Sequence, residues 1–162
     1  MSKHQYSSAL AVPRILNVVL NIGIGRVKDE KEKEMIKKHL ALITGQKPQD
    51  RPAKKSIASF KTREGMIIGL RATLRGKRMY DFLSRLIQVA LPRSRDFRGI
   101  SEKSVDGAGN LTIGIREHIA FPEIMGEDVK TIFGFEATLV TNAKSRDAAI
   151  ELYRGLGIPL KK

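Results

Sequence analysis

The sequence predicts an α+β fold in one domain: a mainly antiparallel β-sheet with helices packed on one face and an open polar and basic face. The chain has 162 residues, 41% of them hydrophobic, which is enough for a single core. Apolar residues alternate with others in 14–25, 66–75 and 111–117, which is typical of strands with one buried face. Apolar residues at helical spacing follow the first two of these stretches.

The first predicted strand and helix lie within residues 14–44. The outward side of the strand carries Asn17 and Asn21, and its inward side carries a larger apolar set: Leu16, Val18, Leu20, Ile22 and Ile24. A helix is expected over 29–44, because acidic residues gather in its first turn and lysines follow, as the helix dipole prefers. Gly45 is the expected stop.

The next segment predicts a loop, a short strand, a charged loop and a second clear strand. Residues 45–56 are rich in turn formers, Ser56–Phe60 could form a short strand, and Lys61–Gly65 is expected to be exposed. Over 66–75 the alternation predicts an outward set that includes two arginines: Ile67, Gly69, Arg71, Thr73 and Arg75.

A strongly amphipathic helix is predicted over 78–91, with Pro92 ending it. Residues 93–110 are expected to be a loop, and the strand Leu111–Glu117 directs Thr112, Gly114 and Arg116 outward.

The last third is expected to contain an exposed excursion around Pro122, Glu127 and Asp128, a strand over Phe135–Asn142 and a helix over Arg146–Leu156. No repeat or linker divides the chain, so residues 1–162 are predicted to form a single domain.

The charge is large and unevenly distributed. The formal net charge is +13, but residues 1–100 hold 22 basic and 8 acidic residues, whereas residues 101–162 hold 8 and 9. Between Arg51 and Arg78 there are nine basic residues, and Glu64 is the one acid. Such an excess stores self-repulsion that a bound polyanion relieves, which indicates nucleic acid or an anionic membrane surface as partner.

Several chemistries are disfavoured. The chain has no Cys, and His4, His39 and His118 lack metal-ligand spacing, so no catalytic residue, metal or cofactor is expected. His39 is interpreted as a residue of the helix surface or its boundary. The turn Gly23–Gly25 could begin a dinucleotide fingerprint, but Lys28 stands where a third glycine belongs, which favours an ordinary tight turn.

RNA is the better polyanion for the predicted open face. No run of apolar residues approaches a membrane span or a signal-peptide core, so an intracellular protein without a membrane partner is expected. Aromatics are 6% and Trp is absent, which argues against base stacking. Amide, hydroxyl and guanidinium donors suit the wide minor groove of A-form RNA. Arg93, Arg95 and Arg98 could reach RNA or pair with carboxylates such as Asp96.

Several long segments closely resemble one family, that of the fifth large-subunit ribosomal protein in its bacterial or organellar form. They match in order, from about Val12 to the C-terminus: PRILNVVLNIGIG, TGQKP, KKSIASFKTREGMIIGLRATLRGKRMYDFLSRLI, ALPRSRDFRGIS and GNLTIGIREHIAFPEI. The resemblance implies a noncatalytic protein of the large ribosomal subunit. Its implied partners are 5S rRNA, in the central protuberance, and large-subunit rRNA. The expected setting is a cytoplasmic ribosome, with an organellar ribosome also open.

The resemblance also implies particular contacts. Positions in the family that touch 5S rRNA correspond here to Asn21, Gln46, Thr73 and Arg75, and the alternation adds Arg71 to the same face. The predicted basic loop, residues 54–66, resembles a protruding loop that approaches the peptidyl-site tRNA and a protein of the small-subunit head across the intersubunit bridge. Its charges are Lys54, Lys55, Lys61 and Arg63.

One departure and three alternatives accompany this interpretation. Family members usually carry an extra helical segment before the Pro-Arg motif, whereas here a short N-terminal extension, residues 1–12, precedes Pro13. A general RNA-binding module or RNA chaperone would bind unrelated RNAs equally well. A nucleotide-binding enzyme would use the Gly23–Gly25 turn. A peripheral membrane protein is disfavoured, because neither strong helix combines a lysine-rich face with a large apolar one.

Overall fold

The computed structural model describes residues 8–127 and 129–161. Five of its strands form one antiparallel sheet in the order β2-β3-β1-β6-β5, and β4 and β7 form a separate parallel pair. This architecture, with helices beside the sheet, confirms the predicted α+β class. The described strands are β1 (Ile15–Gly23), β2 (Gln49–Pro52), β3 (Ile67–Leu74), β4 (Ile100–Ser101), β5 (Leu111–Ile115), β6 (Phe135–Thr141) and β7 (Leu160–Lys161).

The helices fall close to the predicted positions. They are α1 (Glu30–Thr44), α2 (Gly76–Arg85), α3 (Leu91–Arg93) and α4 (Arg146–Gly155). At the start of α1 the Asp29 side chain accepts a hydrogen bond from the Lys31 amide. At its end Gly45 has a φ of +68°, and its N–H donates to the Ala41 carbonyl. This is the predicted glycine stop, in the left-handed conformation that glycine adopts without strain.

Pro92 lies inside the last helical turn rather than beyond it. Between α2 and α3 the residues Leu86–Ala90 form a π-helical turn, in which the Leu91 N–H donates to the Leu86 carbonyl. Pro92 has no backbone N–H to donate to a carbonyl of the preceding turn, and the wider π turn accommodates this missing hydrogen bond. The helical segment therefore continues to Arg93, and the predicted end at residue 91 was wrong by two residues.

One hydrophobic core joins the inward side of the sheet to all three longer helices. Leu20 of β1 and Leu139 of β6 are fully buried with Leu40 of α1, Phe82 of α2 and Tyr153 of α4. The Tyr153 hydroxyl lies 2.8 Å from the Gly109 carbonyl oxygen, which ties α4 to the turn before β5. The helices thus pack against the apolar face that the alternation predicted.

Leu16 departs from the predicted inward set of β1. The register against β6 shifts between Ile15 and Asn17, so Ile15 becomes the buried residue and Leu16 is 43% exposed. A β-bulge adds one residue to one strand and reverses the alternation beyond it. Val18, Leu20 and Ile22 keep the predicted inward orientation.

Two short elements between α1 and β3 also differ from the prediction. Gln49–Pro52, expected as loop, forms the edge strand β2. Ser56–Phe60, expected as a strand, instead contributes one bridge, Ile57 to Thr62, followed by a 3₁₀ turn at Ala58–Phe60. β2 is fully exposed on both sides, so its hydrophobic pattern carries no strand signal.

The segment after β5 packs against α1 rather than forming the expected exposed excursion. Phe121 and Ile124 are buried, Pro122 is half-buried, and Lys38 of α1 bonds Glu127 at 2.7 Å. Asp128 lies outside the described residues. The apolar residues beside Pro122 and Glu127 make this segment part of the core.

His39 is buried, which corrects its placement at the helix surface. It is 1% exposed, and its Nδ1 lies 3.1 Å from Nε2 of the fully buried His118. The Phe133 ring stacks on His118, and the Phe133 N–H points to His118 Nδ1 at 3.4 Å. Because Nδ1 accepts from Phe133, the proton of neutral His118 lies on Nε2, and this N–H donates a hydrogen bond to His39 Nδ1.

Candidate nucleic-acid interface

The outward side of the five-stranded sheet is lined mainly by polar, basic and small residues, and all of them except Gly69 are exposed or half-buried. We call this surface the open face. In four of the five strands its members alternate with core residues, whereas in β2 every residue is exposed. The members are Asn17, Val19, Asn21, Gly23, Gln49, Arg51, Gly69, Arg71, Thr73, Thr112, Gly114, Glu136, Thr138 and Val140.

One row of the open face crosses all five strands. The register pairs Arg71 with both Gln49 and Asn21, then Asn21 with Glu136, and Glu136 with Gly114. Directly opposed residues on one face have Cβ atoms about 4.5–5.5 Å apart. The structure therefore places two predicted contact residues, Asn21 and Arg71, side by side at the centre of the sheet.

Arg71 has an incompletely satisfied guanidinium. The side chain is half-buried, its Nε is shielded from solvent, and Nε has no hydrogen-bond partner in the described part of the chain. A buried donor without a partner costs about 1–3 kcal/mol.

Gln46 and Thr73 are joined by a hydrogen bond. The Gln46 side-chain amide donates to the Thr73 backbone carbonyl at 3.1 Å. Thr44 Oγ1 lies 2.7 Å from the Leu40 carbonyl oxygen and 2.9 Å from the Gln46 carbonyl oxygen, which places its hydroxyl inside the turn after α1. The sequence analysis did not predict this bond, which attaches Gln46 to β3.

Arg75 continues the extended backbone of β3 and immediately precedes α2. It is exposed, and no side-chain cap is made at this helix start. The first turn of α2 contains Lys77 and Arg78 and no acid, the reverse of what the helix dipole prefers. Unsatisfied N–H groups and three cations thus make this end of the sheet strongly electropositive.

Glu136, Thr138 and Gln49 belong to the open face but were not among the predicted site residues. Glu136 faces Asn21 from the other side of β1, so an acid lies next to the basic half of the face. Thr138 contacts Thr112 through their hydroxyl oxygens at 3.2 Å. Alternation along the predicted strand Phe135–Asn142 is the signal that could have identified Glu136 and Thr138, whereas β2 gave no such signal for Gln49.

The basic loop, residues 54–66, is an ordered extension of the β2–β3 hairpin. Its base is closed by hydrogen bonds from the Ala53 N–H to the Met66 carbonyl and from the Gly65 N–H to the Ala53 carbonyl. The four cations predicted here are all exposed or half-buried at the surface: Lys54, Lys55, Lys61 and Arg63. Thr73 lies six residue steps beyond Ile67 along β3, about 20 Å of strand, so the loop and the Thr73 end are distinct contact areas.

The tip of the basic loop presents apolar as well as basic side chains. Phe60 is 73% exposed and Ile57 is 45% exposed. Both line a groove of about 830 Å³ that also includes Ile68, Arg26 and Gly25. The aromatic and aliphatic residues interleaved with lysines in 54–61 were a signal in the sequence that the prediction did not use.

The geometry does not support the nucleotide-binding alternative. Both neighbours of β1 run antiparallel to it, so β1 and α1 do not begin a parallel βαβ unit. The described residues contain no group of three or more His, Cys, Asp or Glu that could hold a metal ion. No described helix has both the length and the apolar character needed to cross a membrane.

The fold and this surface define a class of protein: an α+β domain whose uncovered, basic sheet face and basic hairpin loop suit a polyanionic partner. Comparison with known families then gives the identity within that class. Residues 8–63 match the family model described as "Ribosomal protein L5", and residues 67–160 match the model for the C-terminus of the same ribosomal family.

Curated relatives match over almost the whole chain. The large ribosomal subunit protein uL5 of Halothermothrix orenii is 51% identical over all of this chain and 91% of its own length. The uL5 proteins of Streptococcus agalactiae and Streptococcus pyogenes are 49% and 48% identical, each over 99% of this chain and 89% of their own. The chain belongs to the ribosomal protein L5 family, bacterial type, whose members are structural proteins and not enzymes.

Proposed function

We propose that this ribosomal protein binds 5S rRNA through its open face. Family membership makes it a structural constituent of the large ribosomal subunit. The bacterial relatives favour a ribosome in the cytoplasm. The finer assignment to 5S rRNA in the central protuberance is supported by the open face itself.

The observation that carries the proposal is the pairing of Asn21 with Arg71 at the centre of the uncovered sheet. An amide that can donate and accept lies beside a guanidinium whose Nε lacks a partner among the described residues. A-form RNA displays 2′-hydroxyls and phosphates across a wide minor groove, which these groups match. Asn21 and Thr73 would set the register through sugar contacts, and Arg71 and Arg75 would supply phosphate contacts.

Gln46 contributes by position. One N–H of its side-chain amide donates to the Thr73 carbonyl, which leaves the second N–H and the amide oxygen to bond RNA. Arg75 and the basic start of α2 lie just beyond Thr73. The RNA would therefore lie along the row of Asn21 and Arg71 and end at the start of α2.

We assign the basic loop a different partner. Lys54, Lys55, Lys61 and Arg63 lie at the far end of β3 from Thr73, so they can project away from 5S rRNA. In this proposal the loop approaches the peptidyl-site tRNA and a protein of the small-subunit head. Exposed Phe60 and Ile57 suit a protein or ribose surface better than phosphate alone.

The test is a salt-titrated binding assay with purified 5S rRNA and an unrelated structured RNA of equal length. Preference for 5S rRNA that persists as salt rises would support the proposal. Equal affinities that fall together would favour a general RNA-binding module instead.

Point variants in the same assay test the contribution of individual residues. Arg75→Ala and Asn21→Ala are each expected to lose about 1–3 kcal/mol of 5S rRNA binding. Asn17→Ala is the matched control, because Asn17 is an amide of the same strand and face but is paired with Val140, four residues from Asn21 along the strand. Equal losses from the two asparagine variants would contradict a specific contact at Asn21.

A further inference from the structure

The 840 Å³ cleft beside β5 is separate from every surface described so far except the open-face members Thr112 and Gly114. Its walls are the loop 93–99, which we call the arginine loop, the small β4–β7 sheet and the strand β5. It carries five cations and two acids. These are Arg93, Arg95, Arg98, Arg116 and Lys161, with Asp96 and Glu117.

The cations of the cleft are not neutralised within the described protein. The ion pairs seen in residues 8–127 and 129–161 involve Lys33, Lys37, Lys38, Arg85 and Arg154, and none of the five cleft cations. Arg93 points to the Met125 sulfur at 3.2 Å. No pairing with Asp96 is observed among these residues, so the alternative that these arginines serve nearby carboxylates lacks support.

The arginine loop is held at both ends. Ser94 Oγ donates to the Ala90 carbonyl at 2.9 Å, and the Ile100 N–H donates to the Pro159 carbonyl at 2.8 Å. Between these anchors Phe97 packs against the core. Arg95 and Arg98 are therefore surface cations on a fixed backbone, which lowers the conformational entropy lost when they bind a ligand.

The cleft is continuous with the open face. Thr112 and Gly114 belong to both, and Arg116 extends their line along β5. A side chain at Gly114 would meet nothing within 4 Å, so the space above β5 is clear for a ligand backbone. A strand of RNA leaving the row of Asn21 and Glu136 would have an open path over Gly114 into the cleft.

We infer that this cleft is a second phosphate-binding site, which takes the backbone of the same RNA that covers the open face. Planar guanidinium groups bind phosphate oxygens in a bidentate manner, and the cleft presents Arg95, Arg98 and Arg116 together. The inference rests on the proposed function for the identity of the RNA, but not for the chemistry of the site.

Salt dependence tests the cleft. The double variant Arg95→Gln with Arg98→Gln is compared with Lys28→Gln with Lys31→Gln, which removes equal charge from exposed positions outside the cleft and the open face. The slope of log affinity against log salt should become shallower by roughly 1.4–1.8 in the cleft variant, about 0.7–0.9 for each lost phosphate contact. The lysine control should change it by much less.

A second measurement locates the RNA. The chain has no Cys, so Ser104→Cys, in the wall of the cleft, provides one attachment point for an iron chelate that cleaves nearby RNA. Cleavage of 5S rRNA at one discrete run of nucleotides supports the inference. Uniform background cleavage, or equal slope changes in the two double variants, overturns it.

Two further outcomes distinguish 5S rRNA from other possible ligands of the cleft. If the cleft variant loses the same slope on 5S rRNA and on an unrelated RNA of equal length, the phosphate site stands while the 5S assignment fails. If both double variants bind RNA alike but only the cleft variant fails to bind poly-glutamate, the cleft receives an acidic peptide and the RNA inference is overturned.

Discussion

The Gln46 side-chain amide donates a hydrogen bond to the backbone carbonyl of Thr73, and so joins two of the predicted RNA contacts directly. The bond links the end of α1 to the strand β3. A substitution that removes this bond is therefore expected to change both the stability of the protein and its proposed RNA-binding surface.

Gln46→Ala should reduce both stability and RNA affinity. Loss of the bond to Thr73 is expected to lower the free energy of unfolding by about 1 kcal/mol. Urea denaturation and 5S rRNA binding, measured on the same preparation, give the two effects. Gln88→Ala is the control, since Gln88 is an exposed glutamine of the π turn. If Gln46→Ala lowers stability alone, the residue supports the fold and does not contact RNA.

Lys77→Glu should stabilise the free protein while weakening RNA binding. An acid in the first turn of α2 interacts favourably with the helix dipole, worth about 0.3–1 kcal/mol. The same change puts a negative charge beside Arg75, so 5S rRNA affinity should fall, most strongly at low salt. Lys31→Glu makes an equal charge change in the first turn of α1 and should leave RNA binding nearly unaltered. Unchanged affinity in Lys77→Glu would remove the start of α2 from the interface.

The buried His39–His118 pair should make stability depend on pH. Burial, and then the neighbouring His39, lower the pKa of His118 to about 4, and burial also lowers the pKa of His39. Glu127 opposes that shift at His39, and Lys38 adds to it. Unfolded histidine binds its proton near pH 6.5, so the stability is complete above that pH and is lost as pH falls toward 4. For His118 the loss is about 3 kcal/mol.

Urea denaturation midpoints at about pH 7.5 and about pH 4.8 check this dependence, because most of the expected loss falls between these two values. His118→Gln replaces the imidazole with an amide that stays neutral, so the variant should be less stable at the higher pH but lose less between the two values. Equal losses in the variant and the parent would show that carboxylates cause the pH dependence.

Phe60→Ser should affect subunit association without affecting stability. Phe60 is 73% exposed at the tip of the basic loop, and surface substitutions of this kind change stability by less than about 0.5 kcal/mol. Ribosomes containing the variant should bind peptidyl-site tRNA or the small subunit more weakly, while 5S rRNA affinity stays constant. Leu10→Ser, at another exposed apolar residue, is the control. A lower 5S rRNA affinity in Phe60→Ser would contradict the separation of the two contact areas.

Strand alternation was a sound guide where side chains differ sharply between the two faces. In β3 the apolar residues Leu70, Ala72 and Leu74 are buried and Arg71 and Thr73 are not, as predicted. In β1 the same rule failed at Leu16, because a bulge depends on pairing with β6, far away in sequence. Local pattern carries no information about such a partner.

The sequence alone also could not show contacts between residues that are far apart along the chain. His39 looked like a surface residue because it lies among lysines on the helix, and its partner His118 is 79 residues away. β2 was missed because every residue in it is exposed, so its pairing with β3 supplies the only evidence for a strand. Asn21 and Arg71 were predicted for one face, but their direct pairing required the register.

The strand order also has a consequence for synthesis of the chain. β1 is the central strand, yet one of its two neighbours, β6, ends only at Thr141. At about 5–20 residues per second, one edge of β1 waits roughly 6–24 s for its partner after Gly23 has been made. During that time α1, β2 and β3 can assemble on the other edge alone. Until β6 has been made, the edge of β1 that pairs with it has no partner strand, and its backbone N–H and C=O groups are open to pairing with another chain.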